Sequence, residues 1–127
     1  MRKLIFLQPD FSICKVSQEE LSRFLSQGSS SSFFLSQTEI ETTILAETKF
    51  LKWKEEKESN WNAFYIEGVI SFDTPAVLAP ILQCLGSAGI SILVQSTFNT
   101  DYVFFKSTFQ EKVRQSLQES YDILNLF

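Results

Sequence analysis

The chain has 127 residues, 44% of them hydrophobic, with only four glycines and three prolines. That suits one ordinary domain or two very small ones sharing a core, and is too apolar for a disordered chain. A formal charge of −4 and a pI near 4.8 argue against a nucleic-acid partner, which needs clustered Lys and Arg, and the absence of histidine removes the commonest general base and metal ligand.

At the start, Arg2 and Lys3 precede the apolar run Leu4–Leu7, a brief imitation of a signal peptide. The run stops at Gln8-Pro9-Asp10, too short for one. No stretch approaches the length of a membrane span, so a cytoplasmic protein without membrane contact is expected. Phe11–Val16 alternates loosely and reads as a strand. Ser17-Gln-Glu-Glu20 is a capping box, Leu21, Phe24 and Leu25 follow at helical spacing, and Gly28 is placed to end the helix. Residues 29–32 read as a polar loop, and Phe33–Leu35 and Thr42–Ala46 as two further strands. Glu47–Asn60 reads as a solvated connector or a short amphipathic helix, its charges alternating in sign and Phe50, Leu51 and Trp53 serving as apolar anchors.

Trp61–Phe72, which contains the alternating run Ala63–Gly68 and continues into Val69–Phe72, opens the second half as a strand. A helix is expected next, with Asp73-Thr74 as its capping region, Pro75 as a plausible first residue and Val77, Leu78, Ile81, Leu82 and Leu85 on one face. Pro80 conflicts with an unbroken helix from Pro75, so a kink or a start nearer Val77 is anticipated. Gly86 and Gly89 close it. Ile90–Val94 and Tyr102–Phe105 read as strands, Ser107 or Thr108 as the cap of a last helix carrying Phe109, Val113 and Leu117, and Tyr121–Phe127 as a closing strand. This half is β-α-β-β-α-β, the ferredoxin-like arrangement, and the first half repeats its opening β-α-β-β. The expected fold is α+β: two ferredoxin-like units side by side, residues 1–58 and 59–127, with antiparallel sheets and helices on one face. Thirteen phenylalanines fit a sheet covered on both faces.

Chemistry-bearing constellations are sparse. Cys14 and Cys84 lack metal-site spacing and read as buried free thiols of a reducing compartment. Asp73 at a strand-to-helix turn and Asp101 at a hairpin could face one sheet edge. Helix capping accounts for Asp73 at least as well as acid–base chemistry does, and two carboxylates alone are too few for a hard cation. Gly86-Ser-Ala-Gly89 is in the wrong order for a phosphate loop, since its glycines end a helix and open a strand. Tyr102–Lys106 has aromatics but not the pattern by which a sheet stacks RNA bases. No cofactor, metal or catalytic residue is indicated.

The segment Gln95–Asp101, QSTFNTD, joins two apolar runs without Gly or Pro, where a simple hairpin would recruit Asn-Gly or Asp-Gly. Asn99 and Asp101 could shape the turn through their own side-chain bonds. Ala88-Gly-Ile-Ser-Ile92, Ser96–Tyr102 and Val103–Lys106, with Trp61, Ile66-Glu-Gly68 and Phe72, resemble the small proteins with tandem ACT domains. Phe11–Cys14 and Phe33–Thr38 resemble their first, more divergent unit. The hairpin is similar to one in the ACT units of the cytosolic arginine sensors of animals. The resemblance implies a non-catalytic regulatory protein, homo-oligomeric and most simply dimeric. It would bind a small effector, an amino acid or similar, at an interface between ACT units. By motif position Gly89 and Ile90 would offer backbone to the ligand, and Ser96, Thr97, Phe98 and Asp101 would form a side-chain wall, with Asp101 facing a cationic group. Phe72 and Asp73 would sit in the strand-to-helix loop beside it. The other reading is a protein–protein interaction or oligomerisation module with a vestigial ligand site.

Overall fold

Ser17 caps the first helix as the S-x-x-E spacing predicts: its hydroxyl accepts from the Glu20 N–H at 3.1 Å, and the Glu20 carboxylate accepts from the Ser17 N–H at 3.0 Å. In the computed structural model, which describes residues 1–28 and 32–125, the strands are β1 (Lys3–Phe6), β2 (Phe11–Lys15), β3 (Phe33–Gln37), β4 (Thr42–Glu47), β5 (Glu58–Ile66), β6 (Ile92–Ser96), β7 (Asp101–Lys106) and β8 (Asp122–Asn125). The helices are α1 (Gln18–Ser26), α2 (Ala79–Ser87) and α3 (Gln110–Leu117). They fall into two compact units, residues 9–60 and residues 1–8 with 61–127. The loop expected at residues 29–31 lies outside the described residues, as does the end of the closing strand at 126–127.

In the unit of residues 9–60 the strand order is β3-β4-β2, all antiparallel. Leu21 and Phe24 of α1 pack against Cys14, Val16, Ile44, Ala46 and Leu51, with Phe50 and Trp53 at the margin. The charged connector is therefore held by the three apolar anchors the sequence offers. It forms a 3-10 turn over Thr48–Phe50 rather than a longer helix, and the Trp53 indole N–H donates to the Phe50 carbonyl at 3.2 Å.

In the larger unit the order is β6-β7-β5-β1-β8, with β5, from Trp61 onward, pairing antiparallel to both β1 and β7. The β5-α2-β6-β7-α3-β8 string is the expected ferredoxin-like arrangement. One strand was not anticipated. β1 inserts between β5 and β8, so the closing strand pairs in parallel with β1. Its signal is concealed because both of its faces are apolar: Leu4 and Phe6 enter the helix-covered core, and Ile5 on the opposite face is also buried.

The core of this unit joins Leu4, Phe6, Phe64, Ile66, Val103 and Phe105 of the sheet to Ile81, Leu85, Val113 and Leu117 of α2 and α3, so both helices cover one face. The long second-half strand ends at Ile66, and residues 67–78 are a loop. α2 starts at Ala79, with Pro80 inside its first turn, where a missing N–H costs nothing. Pro75 and Val77 thus precede the helix, and neither Asp73 nor Thr74 caps it. The last helix likewise has no hydroxyl cap: Ser107–Phe109 form a 3-10 turn and α3 follows. Among the described residues no helix is long and apolar enough to cross a membrane.

α2 ends in a Schellman motif. The Gly89 N–H donates to Gly86 C=O and the Ile90 N–H to Leu85 C=O, both at 3.0 Å. Gly89 has φ +77°, the left-handed conformation this ending requires, and Ile90 and Leu85 meet in the core.

Candidate functional site

The β6–β7 hairpin explains why its turn needs neither Gly nor Pro. Thr97 closes it: its N–H and its hydroxyl both donate to the Thr100 carbonyl, at 2.8 and 3.0 Å, and its Oγ1 accepts from the Thr100 N–H at 3.3 Å. A threonine hydroxyl supplies the side-chain-to-backbone bonding expected of Asn99 or Asp101. Thr100 Oγ1 then donates to the Ile66 carbonyl at 2.6 Å, tying the turn to the end of β5. The Ile70 N–H donates to Asn99 C=O at 2.8 Å, bringing the loop of residues 67–78 against the hairpin.

Between that loop and the hairpin lies a cleft of about 310 Å³. The loop contributes Ile70, Ser71, Phe72, Thr74, Ala76, Val77 and Leu78, the first residue of α2 adds Ala79, and the hairpin gives Ser96, Thr97, Phe98, Thr100 and Asp101. Two aromatics stand at its margin: Phe72 and Phe98 are 80% and 79% exposed, with ring centroids 5.3 Å apart in an edge-on contact. Such exposure of paired phenylalanines offers an apolar surface to something other than water. Ala76 has φ +57°, uncommon for a residue with a Cβ. Outliers of this kind cluster at ligand clamps and switch regions.

One charge lines the cleft. Asp101 stands opposite Ser96 in the β6–β7 ladder, and the Ser96 hydroxyl donates to Asp101 Oδ1 at 2.5 Å. This fixes one carboxylate oxygen and leaves acceptor capacity on the group. The remaining polar atoms of the lining are hydroxyls and backbone groups, and no Lys or Arg is among the lining residues.

Of the eight residues singled out from the sequence, five line this cleft: Phe72, Ser96, Thr97, Phe98 and Asp101. Asp73 is adjacent to Phe72, exposed, and outside the lining, its N–H donating to Ser71 Oγ at 3.2 Å. Gly89 and Ile90 lie at the far end of α2, where the Schellman motif engages both N–H groups. Ile70, Thr74 and Ala76 are lining residues the sequence reading missed. Val77 and Leu78, core positions by helical spacing, do pack against the core of this unit while also lining the cleft, and Thr100 belongs to the connecting turn.

Both cysteines are free; Cys14 is buried and Cys84 half-buried, its thiol donating to the Ser116 carbonyl at 3.1 Å. Neither lines the cleft.

The structure can be set beside known proteins. A crystal structure of an Agrobacterium tumefaciens protein matches at a TM-score of 0.87 and 22% identity, covering 99% of this chain and 94% of that one. A Vibrio cholerae protein of unknown function matches at 0.75 and 18%, covering 93% and 88%. The ligand-free regulatory subunit of aspartate kinase from Thermus thermophilus matches at 0.66 and 12%, covering 94% and 97%. These likenesses concern the fold. No curated protein matches the sequence. The ACT domain family matches residues 56–119, just over half of the chain and the whole of the stretch that builds the cleft. The chain belongs to the ACT domain family.

Proposed function

We propose that the protein is a cytoplasmic regulatory protein of the ACT type. It binds a small effector, an amino acid or a close analogue, in the cleft between residues 70–79 and 96–101, and works as a homo-oligomer, most simply a dimer. The observation that carries this reading is the convergence on one cleft of a single preorganised carboxylate, several hydroxyls and two exposed aromatics. Ligand sites are typically apolar clefts with a few convergent polar groups, and about 300 Å³ is the lower end of their range. Asp101 would hold an ammonium through charge-assisted hydrogen bonds, and Phe72, Phe98, Val77 and Leu78 would cover the apolar body. Asp73, Gly89 and Ile90 have no place in this cleft. The Thermus thermophilus neighbour, a regulatory subunit, fits the same reading. The lining does not pair a nucleophile with a histidine or lysine base, as hydrolytic chemistry would require. Coupling to output requires that the effector bind one conformation or assembly better than another.

Thermal denaturation with each of the twenty amino acids tests this. A bound effector at a hundred times its Kd stabilises the fold by about 2.7 kcal/mol. An unchanged melting temperature throughout the panel would count against the amino-acid reading.

The exposed Phe72–Phe98 pair, with Val69 at 76% exposure nearby in sequence, favours a second reading, a docking surface for a protein partner. Phe72→Ser and Phe98→Ser would then weaken association in sedimentation while leaving the melting temperature unchanged.

A further inference from the structure

The cleft has partners for both charged ends of an amino acid, and most of what remains of it is apolar. Asp101 is the one charged residue of the lining, and the Ser96 hydroxyl holds one of its oxygens. Backbone provides for the other end. Among the described residues, the N–H groups of Phe72, Ala76, Val77, Leu78 and Ala79 donate to no protein acceptor, and all five residues line the cleft. Backbone N–H groups left over in this way suit a carboxylate, and Asp101 suits an ammonium. A zwitterion held between them takes up the one charged side chain of the lining. Its own side chain then meets Ile70, Phe72, Val77, Leu78 and Phe98, together with hydroxyls. A second ammonium or a guanidinium finds no second carboxylate in the lining. A second carboxylate finds no Lys or Arg there and comes close to Asp101. The two phenylalanines do not compensate a basic side chain. Their ring planes stand 84° apart, the edge of one ring against the other, so a guanidinium is offered no pair of parallel faces to stack between.

We infer that the cleft selects an amino acid with a large apolar side chain, branched or aromatic, over basic and acidic ones, and that Phe72 and Phe98 set this preference; the inference rests on the cleft being the effector site. Both rings are largely exposed in the free protein. A leucine or phenylalanine side chain laid against them removes apolar surface from water on ligand and protein alike. Alanine engages the same charged partners and leaves the rings bare.

The experiment is calorimetric titration of the full chain with leucine, phenylalanine, alanine, arginine, lysine and glutamate, repeated on Phe72→Ala and Phe98→Ala. Leucine or phenylalanine should bind about tenfold more tightly, or better, than each of the other four. Both variants should keep the wild-type melting temperature, since each ring is exposed, and should lower the leucine-to-alanine affinity ratio about threefold or more. Leucine and alanine share their charged ends, so this ratio reports cover of the side chain and is not moved by a loss of folded protein. If alanine, arginine, lysine or glutamate binds as tightly as leucine and phenylalanine, the inference is overturned and the effector reading stands. A leucine-to-alanine ratio unchanged in both variants overturns it as well. If none of the six binds the wild-type chain the inference falls, and silence across all twenty amino acids takes the effector reading with it.

Discussion

Replacing Gly89 by alanine separates two roles that one glycine could hold. Its φ of +77° belongs to the Schellman ending of α2, and a Cβ built there meets nothing within 4 Å. Steric collision therefore contributes nothing, and only the left-handed backbone penalty remains, about 1–2 kcal/mol for a residue with a Cβ. Alanine also restricts the unfolded chain, which returns about 0.4–1 kcal/mol. The net loss should be about 1 kcal/mol. With an unfolding entropy of about 2.1 cal/mol/K per residue over 127 residues, that lowers the melting temperature by about 4 °C. Urea denaturation measures the loss directly, and effector affinity measured on the same variant should be unchanged. A fully retained stability with lost affinity would refute the capping account and return Gly89 to the ligand site. A loss above about 3 kcal/mol would show that the helix ending is under constraints beyond its backbone conformation.

Four other outcomes follow from the same reasoning. Ser17→Ala removes one half of the capping box and should cost about 1 kcal/mol by urea denaturation. Leu85→Ala opens a cavity in the core of the larger unit and should cost about 2–5 kcal/mol, read by the same assay. The Ser17 N–H and the Lys54 ammonium hold the Glu20 carboxyl below its ordinary value of 4.5. Its contribution is therefore present above that value and is lost as pH falls through the lower folded one; Glu20→Gln should flatten the acid limb of the stability–pH curve. Burial pushes the Cys14 thiol up, so Cys14 should resist alkylation at pH 8 in the native protein and react promptly in urea, as mass spectrometry of the labelled peptides would show.

Local chemistry was the most legible part of the sequence. Ser17 and Glu20 announce a helix start through spacing alone, and the β-α-β-β-α-β order of the second half follows from alternation and helical period. Patterns broke down where a segment is buried on both faces or on none. β1 is apolar on both sides, so alternation has nothing to detect. Val77 and Leu78 share a helical spacing with Ile81, Leu82 and Leu85 and pack against the core of the larger unit, yet they precede α2 and also line the cleft, because the helix begins only at Ala79. The hairpin hydroxyls, the exposed Phe98 and Asp101 were visible because their residue types do not suit a plain turn. Phe72 was visible by family resemblance. Gly89 resembled a ligand-contacting glycine for the reason that it caps a helix: both roles need a backbone free of Cβ constraints. Ala76 and Thr74 had no signal, since their place in the lining depends on a loop pinned by one long-range bond from Ile70 to Asn99.

The most direct test of the proposed effector site is a melting curve of the wild-type chain and of Asp101→Asn with and without saturating amounts of each of the twenty amino acids. At least one amino acid should raise the wild-type melting temperature by about 10 °C at a hundred times its Kd. Asp101→Asn should keep the unliganded melting temperature and lose the shift. A shift of the same size in both proteins, or none in the wild type with any ligand, would contradict it.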